Sequence, residues 1–325
     1  NLCPRAIVAD RESLEHVESI VDELVKSEGF DRPQIFIAED ISRFEQVACA
    51  DSNCKISESA GDAVTDSEND MLAAVRRQMS MTDPLYIIYT SGSTGNPKGV
   101  MTSHLSLMTY INAYCDVMHI EESDVLGNQS PLDYIAAIRD IYLPLKTGCS
   151  TAIIPKKYFM EPNALFDYMN DKKVSSVGWS VSAFTILTSL GAFEEVGLKS
   201  LRKICFSGTG MPCRVLRKWQ ENLPEAHFVN QYGPTEATAS CTYYSVDHTV
   251  EDDEVLPIGR AYDNYRVFLI DEHGNEPAVG EQGEICVCGP ILALGYYNDP
   301  ERTAAAFTLN PLNKAYPERM YRTGD

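Results

Sequence analysis

Residues 86–104 read YIIYTSGSTGNPKGVMTSH, an apolar stretch followed by a loop of hydroxyl side chains, glycines and one lysine. A bound phosphate chain needs close backbone N–H groups, hydroxyl donors and a cation, and this loop supplies all three after a predicted buried strand. A loop rich in Ser and Gly also fits a solvated turn. The Walker pattern is absent, because Pro97 stands where the second Walker glycine would follow Gly92, and Gly99 follows Lys98 in place of Ser or Thr. The candidate phosphate-binding residues are Thr90, Ser91, Gly92, Ser93, Thr94, Gly95 and Lys98.

Strand-like and helix-like patterns alternate on either side of this loop and beyond it. Short apolar runs are followed by segments whose apolar residues recur at helical spacing. This alternation is typical of a mostly parallel α/β sheet with helices on its faces, and we predict that fold class. The predicted strands are 84–91, 150–155, 175–182 and 201–208, and the predicted helices are 106–118 and 165–173.

The C-terminal part has a different texture. The segments YRVFLID (265–271), GEICVCG (283–289) and GYYN (295–298) are short and separated by turn residues. They predict a smaller antiparallel, β-rich subdomain packed on the α/β part. We assign residues 1–250 to the α/β part of one large domain and residues 251–325 to the β-rich subdomain.

The N-terminal part carries much of the acidity. Residues 1–84 hold 18 acidic and 8 basic residues. Residues 11–28 have an apolar stripe at helical spacing and predict an amphipathic helix with a solvated acidic face. Residues 51–70 have few large apolar side chains and predict an exposed loop.

Composition and charge exclude several kinds of partner. The formal net charge is −20, so no overall basic surface is present to bind nucleic acid or an anionic membrane. No apolar run is long enough to span a membrane, and the N-terminus lacks a signal-peptide pattern, so we expect a cytoplasmic location. The cysteines are scattered; Cys286 and Cys288 share one face of a strand, where core packing is favoured over a metal site.

Further motifs follow the phosphate loop in a fixed order. NQYGPTE occupies residues 230–236, GEICVCG is followed by LGYY at 294–297, and YRTGD ends the chain at 321–325. Together with the loop they resemble the motifs of adenylate-forming enzymes, which include peptide-synthetase adenylation domains, D-alanine:carrier-protein ligases and acyl-CoA synthetases. The resemblance covers residues 86–325, and residues 1–85 fit it more loosely.

The resemblance implies a role for each motif residue. Members of this family join a carboxylate to the α-phosphate of ATP, so catalysis is mainly positioning and neutralisation of phosphate charge. Lys98 and the loop hydroxyls then suit the departing phosphates, Glu236 binds Mg²⁺ and Thr235 donates to the α-phosphate. The implied nucleotide contacts are Tyr232 on adenine, Asn230 on its amino edge, Asp325 on the ribose, and the backbone at Gly208 and Gly233.

The implied acyl pocket departs from the amino-acid-activating pattern. Such enzymes carry an aspartate that pairs with the substrate ammonium, and Ile135 stands at that position. Asp133 is the natural substitute, on the same face as Ile135 if the backbone is extended. Arg139 either pairs with Asp133 or Asp140 or clamps an acidic or oxygen-rich substrate group. The other implied pocket residues are Ala136, Trp179, Cys205, Ser207, Gln231, Ala239 and Ser240.

The resemblance implies activation of a small amino, hydroxy or keto acid and its transfer to the phosphopantetheine thiol of a carrier protein. A long acyl chain is disfavoured, because Trp179 makes the pocket shallow and the serines make it polar. Two alternatives stay open: an acyl-CoA synthetase that uses free CoA, and a non-catalytic nucleotide-binding or carrier-docking module. Because the chain stops after YRTGD, where relatives continue into a small domain, we expect these residues alone to bind ATP with weak or no turnover.

Overall fold

The computed structural model contains two compact units, Asn1–Gln78 and Met79–Asp325. Residues 73–78 are helical, and the acidic stretch 51–70, predicted as an exposed loop, lies outside the described residues. The structure describes residues 6–9, 11, 13–28, 32–37, 73–91, 97–132 and 134–325.

The first unit contains two parallel strands and a helix between them in sequence. Strand β1 (Ala6–Ala9) pairs with β2 (Gln34–Ile37), and the helix is Leu14–Glu28. Val21 is the buried side chain of this helix, whereas Ile20 is 43% exposed. The predicted amphipathic helix is present, with a narrower buried stripe than its apolar pattern indicated.

The second unit contains fourteen described strands and six described α-helices. Its strands are β3 (Pro84–Thr90), β4 (Lys98–Ser103), β5 (Val125–Asn128), β6 (Ser150–Ile153), β7 (Ser176–Ser180), β8 (Lys203–Ser207), β9 (His227–Tyr232), β10 (Thr242–Val246), β11 (Arg260–Ala261), β12 (Arg266–Ile270), β13 (Glu284–Cys288), β14 (Gly295–Tyr296), β15 (Phe307–Leu309) and β16 (Arg319–Arg322). Its helices are His104–Met118, Ile135–Thr147, Pro162–Asp171, Val181–Ser189, Cys213–Asn222 and Pro300–Ala306, with 3-10 turns at Lys156–Met160 and Thr235–Ala237. No helix in the described ranges is long and apolar enough to cross a membrane.

A seven-stranded sheet forms the centre of this unit, with the order β11-β10-β9-β8-β7-β5-β6. The five strands from β6 to β9 in this order run parallel, and β10 and β11 are antiparallel additions at one edge. Four of the five residues of β7 and of β8 are buried, as expected for parallel strands covered on both faces. The predicted α/β class with a mostly parallel sheet is confirmed.

The helix Ile135–Thr147 was not predicted. Asp133 and Ile135 were expected on one face of an extended chain, but the backbone is helical from Ile135 onward, and Asp133 lies outside the described residues. Pro144 lies inside this helix, which ends at Gly148 with φ of 78°. A proline within a helix weakens the sequence signal for it, because proline normally interrupts one.

The strand predicted at 84–91 is present but differs from the expectation in two respects. β3 belongs to a three-stranded antiparallel sheet, in the order β14-β4-β3, and not to the parallel sheet. Ile88 is its one buried residue, so the prediction of a buried strand was wrong. The chain turns back between β3 and β4, and the two strands pair as a hairpin from Pro84↔Ser103 to Thr90↔Lys98.

A four-stranded antiparallel sheet of order β12-β13-β16-β15 makes up the C-terminal part. The predicted antiparallel, β-rich region is therefore confirmed, whereas the division at residue 250 stays a prediction. Cys286 and Cys288 are fully buried and pack with Ile270 and Met320. Within the described residues no cluster of His, Cys, Asp and Glu could hold a metal ion, which agrees with core packing of both cysteines.

The carboxyl ends of β7, β8 and β9 lie side by side, because these strands are parallel neighbours. They carry Ser180, Ser207 and Tyr232 at their last positions. In open α/β sheets this edge is where ligands bind, since loops that leave the strands there surround a crevice. The fold thus directs attention to one edge of the large sheet.

Candidate active site

The phosphate loop is only partly within the described residues. Gly92, Ser93, Thr94 and Gly95 lie outside them, so their proposed roles stay predictions. Thr90 is the last residue of β3 and Lys98 is the first residue of β4, and the two are opposite each other in the β3–β4 register. The Thr90 hydroxyl is buried with no hydrogen-bond partner in the described part of the chain, and Ser91 is exposed. The hairpin therefore brings two predicted phosphate-binding residues to the same end of the small sheet.

Lys98 contacts a carboxylate from a distant part of the chain. Its Nζ forms an ion pair with Oε1 of Glu236 and donates a hydrogen bond of 3.2 Å to the hydroxyl of Tyr296. The Lys98 side chain is 23% exposed and that of Glu236 only 4%. Burial alone would lower the pKa of Lys98, but the hydrogen bond and negative charge of Glu236 outweigh it, so this pKa is raised. The ammonium group is thus held charged beside a buried carboxylate.

Glu236 is positioned by the 3-10 turn Thr235–Ala237, which follows β9 after Pro234. Its backbone carbonyl accepts a hydrogen bond of 2.8 Å from the N–H of Ala293, and its Oε1 accepts one of 2.7 Å from the hydroxyl of Tyr296. Burial and the Glu236 charge raise the pKa of Tyr296, so this hydroxyl stays protonated and donates. The carboxylate therefore has a fixed orientation in a buried polar cluster.

Tyr232, the last residue of β9, contacts Asp325. The Tyr232 hydroxyl donates to Oδ2 of Asp325, and burial followed by this carboxylate raises the pKa of Tyr232. The backbone carbonyl of Asp325 accepts from Ile285 N–H at 3.0 Å. Asn230 lies in the same strand as Tyr232 and donates its amide N–H to the carbonyl of Pro257 at 2.9 Å. The structure thus brings Tyr232 and Asp325 together, while the Asn230 amide donor is already engaged.

A cavity of about 490 Å³ lies at the carboxyl edge of the large sheet. Most of the predicted pocket residues line it, but Cys205 does not, because it is buried in the core two residues below Ser207 on β8. Asp133 lies outside the described residues. The predicted residues that line the cavity are Ile135, Ala136, Arg139, Trp179, Ser207, Gly208, Gln231, Gly233, Thr235, Ala239 and Ser240. The remaining lining residues, which sequence reasoning missed, are Tyr110, Gln129, Ser130, Pro131, Tyr134, Ser180 and Pro234.

Arg139 is locked into an ion pair with its neighbour. Its Nε and one Nη donate to the two carboxylate oxygens of Asp140 at 2.7 and 3.1 Å, and the same Nη donates to the carbonyl of Gly178 at 2.7 Å. The guanidinium also lies over the ring of Tyr114, 5.1 Å from its centroid. Both side chains of the pair are 5% exposed. Of the alternatives open from the sequence, the pair with Asp140 is the one observed.

Trp179 forms part of the cavity wall with its ring fixed. Its Nε1 donates to the carbonyl of Gly127 at 2.8 Å, and the ring makes an edge contact with Phe159 at 5.4 Å between centroids. Gln231 donates to the hydroxyl of Tyr262. These contacts hold the wall in one conformation, so the cavity has a defined shape.

Gly233 is required for close packing beside the cavity. A Cβ at this position would lie 2.4 Å from the Cα of Ser240, so any other residue would push the strand end away from the Ser240 backbone. The glycine of the NQYGPTE motif therefore has a structural reason that is independent of any ligand.

Two tyrosines of the sequence motifs were not assigned a role from the sequence. Tyr296 belongs to the LGYY motif and Tyr321 to YRTGD. The ring centroid of Tyr321 lies 5.0 Å from that of Phe307, which lies 5.8 Å from that of Tyr296. Burial, followed by the charge of Glu236, raises the pKa of Tyr321. The motifs themselves were the available signal, because both tyrosines stand inside them.

Comparisons with known proteins agree with this geometry. The family model of AMP-binding enzymes matches residues 3–297. A D-alanine–D-alanyl carrier protein ligase from Bacillus cytotoxicus is 35% identical over 74% of this chain and 47% of its own length, and one from Bacillus anthracis is 36% identical over the same shares. The chain thus spans about half the length of the curated relatives it matches.

Solved structures show the same fold. CmiS6 is 30% identical over 77% of this chain and 59% of its own, with a TM-score of 0.70. The Vibrio cholerae adenylation domain AlmE, solved with glycyl-adenosine-5'-phosphate, aligns over 99% of this chain and 58% of its own with a TM-score of 0.75. At 24% identity, the likeness to AlmE shows the fold alone.

Proposed function

Because the chain belongs to the family of AMP-binding enzymes, we propose that it activates a small amino acid or a related carboxylic acid with ATP. The product is an acyl-adenylate, whose acyl group passes to the phosphopantetheine thiol of a carrier protein. One observation carries the proposal: the Lys98–Glu236 pair lies next to Thr235, which lines a polar cavity at the ligand-binding edge of the sheet. Thr235 thus joins the proposed phosphate-binding group, Lys98 with Glu236, to the proposed cavity for the acid.

The proposed reaction has two displacement steps. A carboxylate oxygen of the acid attacks the α-phosphorus of ATP, the bond to the β-phosphate oxygen breaks, and pyrophosphate leaves with that electron pair. The thiol sulfur then attacks the acyl carbon and loses its proton, and AMP leaves with the former carboxylate oxygen. Both steps depend on stabilising charge on phosphate oxygens, which is the chemistry that fixed donors and cations supply.

We assign the residues according to their positions. Lys98 contacts the β and γ phosphates, Thr235 donates to the α-phosphate from the cavity rim, and Tyr232 with Asp325 binds adenosine. Asn230 has its amide carbonyl left for the adenine amino group, because its N–H₂ group already donates to Pro257.

Magnesium fits the Glu236 site on charge grounds. Glu236 is 3% exposed, and Lys98 is its one cationic partner within the described residues. When Lys98 turns to phosphate, a buried carboxylate needs another cation, since an unpaired buried charge is costly. A hard oxygen ligand suits Mg²⁺, which when bound neutralises charge on the phosphates.

The acid is expected to be small and polar. The cavity wall carries hydroxyl and amide groups from Ser130, Ser180, Ser207, Gln231 and Ser240, and Trp179 is fixed across it. Arg139 is neutralised by Asp140, so it contributes no net charge. A substrate ammonium would then rely on Asp133. Replacing Asp133→Asn is expected to abolish amino-acid activation, and unchanged activity would remove Asp133 from this role.

The proposal is tested by exchange of labelled pyrophosphate into ATP with the natural protein that contains these residues. We expect exchange that depends on small amino, hydroxy or keto acids, and signal only with fatty or aryl acids would contradict the substrate class. Thioester formation is then compared on free CoA and on a carrier protein. Transfer only to CoA would favour an acyl-CoA synthetase, and ATP binding without any exchange would favour a non-catalytic module.

A further inference from the structure

The segment 293–297 is hydrogen-bonded to both halves of the Lys98–Glu236 site. The N–H of Ala293 donates to the Glu236 carbonyl at 2.8 Å. The N–H groups of Leu294 and Tyr297 donate to the carbonyls of Met101 and Gly99, each at 2.8 Å, and β14 pairs with β4. This one segment therefore sets the distance between the strand that begins with Lys98 and the turn that carries Glu236.

The side chain of Tyr296 joins the same two elements. Its hydroxyl donates to Oε1 of Glu236 at 2.7 Å and accepts from Lys98 Nζ at 3.2 Å. The Lys98 ammonium also lies 5.0 Å from the centre of the Tyr296 ring. Tyr296 is 4% exposed, so these contacts are made in a buried setting where hydrogen bonds to charged groups are strong.

Arg319 holds the segment 293–297 in place, and no acidic partner is among the described contacts of this arginine. The two Nη atoms of Arg319 donate to the carbonyls of Ala293 and Leu294 at 2.7 and 2.8 Å. The guanidinium lies over the ring of Phe307, 4.2 Å from its centroid. The ring centroids of Phe307 and Tyr296 are 5.8 Å apart. The guanidinium fork thus acts on backbone carbonyls and fixes the segment in place.

We infer that Tyr296 is a positioning residue for nucleotide binding, an inference that rests on the proposed function. In the proposed function, Lys98 turns from this carboxylate to the phosphates when the nucleotide binds. The Tyr296 hydroxyl stays on Oε1 of Glu236 and keeps the buried carboxylate oriented. The carboxylate is then ready for the cation that arrives with the phosphates.

Binding of ATP by the 325-residue chain, measured by calorimetry with MgCl₂ and again with EDTA, tests this inference. The measured quantity is the ratio of the dissociation constant without magnesium to that with magnesium. Replacing Tyr296→Phe removes one hydrogen bond to a charged group and is expected to lower this ratio about tenfold. The affinity for ATP without magnesium is expected to stay within about threefold, because the hydroxyl acts on the carboxylate and not on the phosphates.

Tyr297→Phe is the matched control, because Tyr297 is the adjacent tyrosine and its backbone bond to Gly99 is kept. We expect its ratio to equal that of the wild type. A wild-type ratio in Tyr296→Phe, or an equal loss of affinity in both conditions, would overturn the positioning role. If Tyr296→Phe does not fold, Arg319→Lys is measured instead, and an unchanged ratio there would overturn it as well. Failure of the wild type to bind ATP in either condition would contradict the proposed function itself.

Discussion

Two ion pairs lie near the cavity at the carboxyl edge of the large sheet, and they are built differently. Arg139 and Asp140 are neighbours in one helix, both 5% exposed, and joined by two hydrogen bonds. Lys98 and Glu236 come from elements 138 residues apart, and the lysine is 23% exposed. Both members of the Arg139–Asp140 pair are buried, whereas the lysine of the Lys98–Glu236 pair is partly exposed.

The residue types account for this difference. A guanidinium fork makes several directed bonds at once, and that of Arg139 is shared between Asp140 and the carbonyl of Gly178. An ammonium group is a compact charge on a flexible stem and exchanges partners easily. We infer that the Arg139 pair maintains the cavity, and we propose that the Lys98 pair serves the reaction.

The largest effect is expected from Asp140→Ala. This change leaves the Arg139 guanidinium buried without its carboxylate, which costs about 3–5 kcal/mol of unfolding free energy. Urea unfolding measures the difference. Asp252→Ala is the control, because that carboxylate is 68% exposed and should change stability by less than about 1 kcal/mol. Equal effects of the two substitutions would show that the Arg139 pair is not structural.

Lys98→Met is expected to lower the rate of the proposed reaction. Losing a group that stabilises charge on the leaving phosphates lowers exchange about 100- to 1000-fold. Pyrophosphate exchange by the natural protein measures this loss. A variant that exchanges at the wild-type rate would contradict the role of Lys98.

Gly178→Ala tests the Arg139–Asp140 pair from the other side. A Cβ there would lie 2.2 Å from Nη1 of Arg139, so the guanidinium must shift. We expect a loss of about 1–3 kcal/mol in unfolding free energy, as for overpacking in a core. Gly197→Ala is the control, since a Cβ at Gly197 meets nothing within 4 Å. A stable Gly178→Ala variant would mean that the guanidinium has room to move.

The smallest effect concerns pH. The pKa of Lys98 is raised above 10.5 in the folded protein, so its pair stabilises the fold below that pH and this contribution is lost as pH rises through the folded-state pKa. The difference in unfolding free energy between wild type and Lys98→Met should therefore shrink by about 1 kcal/mol at high pH. A difference that stays constant or grows with pH would contradict the ion pair.

Sequence patterns predicted the mostly parallel sheet, the helices His104–Met118 and Pro162–Asp171 and the β-rich end, because burial on two faces and turn residues leave local signals. The helices Val181–Ser189 and Cys213–Asn222 were not predicted. The helix Ile135–Thr147 was missed because Pro144 interrupts its pattern. The antiparallel pairing of β3 was missed because it depends on where the chain turns. A short apolar run predicts a strand but does not indicate which sheet the strand joins. The exposure of β3 follows from its place in the small antiparallel sheet.

The candidate site was predictable where a motif places a residue directly on the cavity edge, as for Gln231 and Thr235 of NQYGPTE. Cys205 was assigned to the pocket wall by the resemblance to the family, but it lies further from the strand end than Ser207 and is buried in the core. Tyr296 had no assigned role, because its contacts join β4, β14 and the turn at Glu236. That juxtaposition exists only in three dimensions.

The most direct test of the account follows one oxygen atom through the reaction. The natural protein is incubated with Mg²⁺, ATP, a thiol acceptor and a small amino acid whose carboxylate carries heavy oxygen, and the products are analysed by mass spectrometry. The account predicts one labelled oxygen in AMP, because the carboxylate attacks the α-phosphorus and its oxygen stays there after thioester formation. AMP without label, or label in inorganic phosphate, would contradict it.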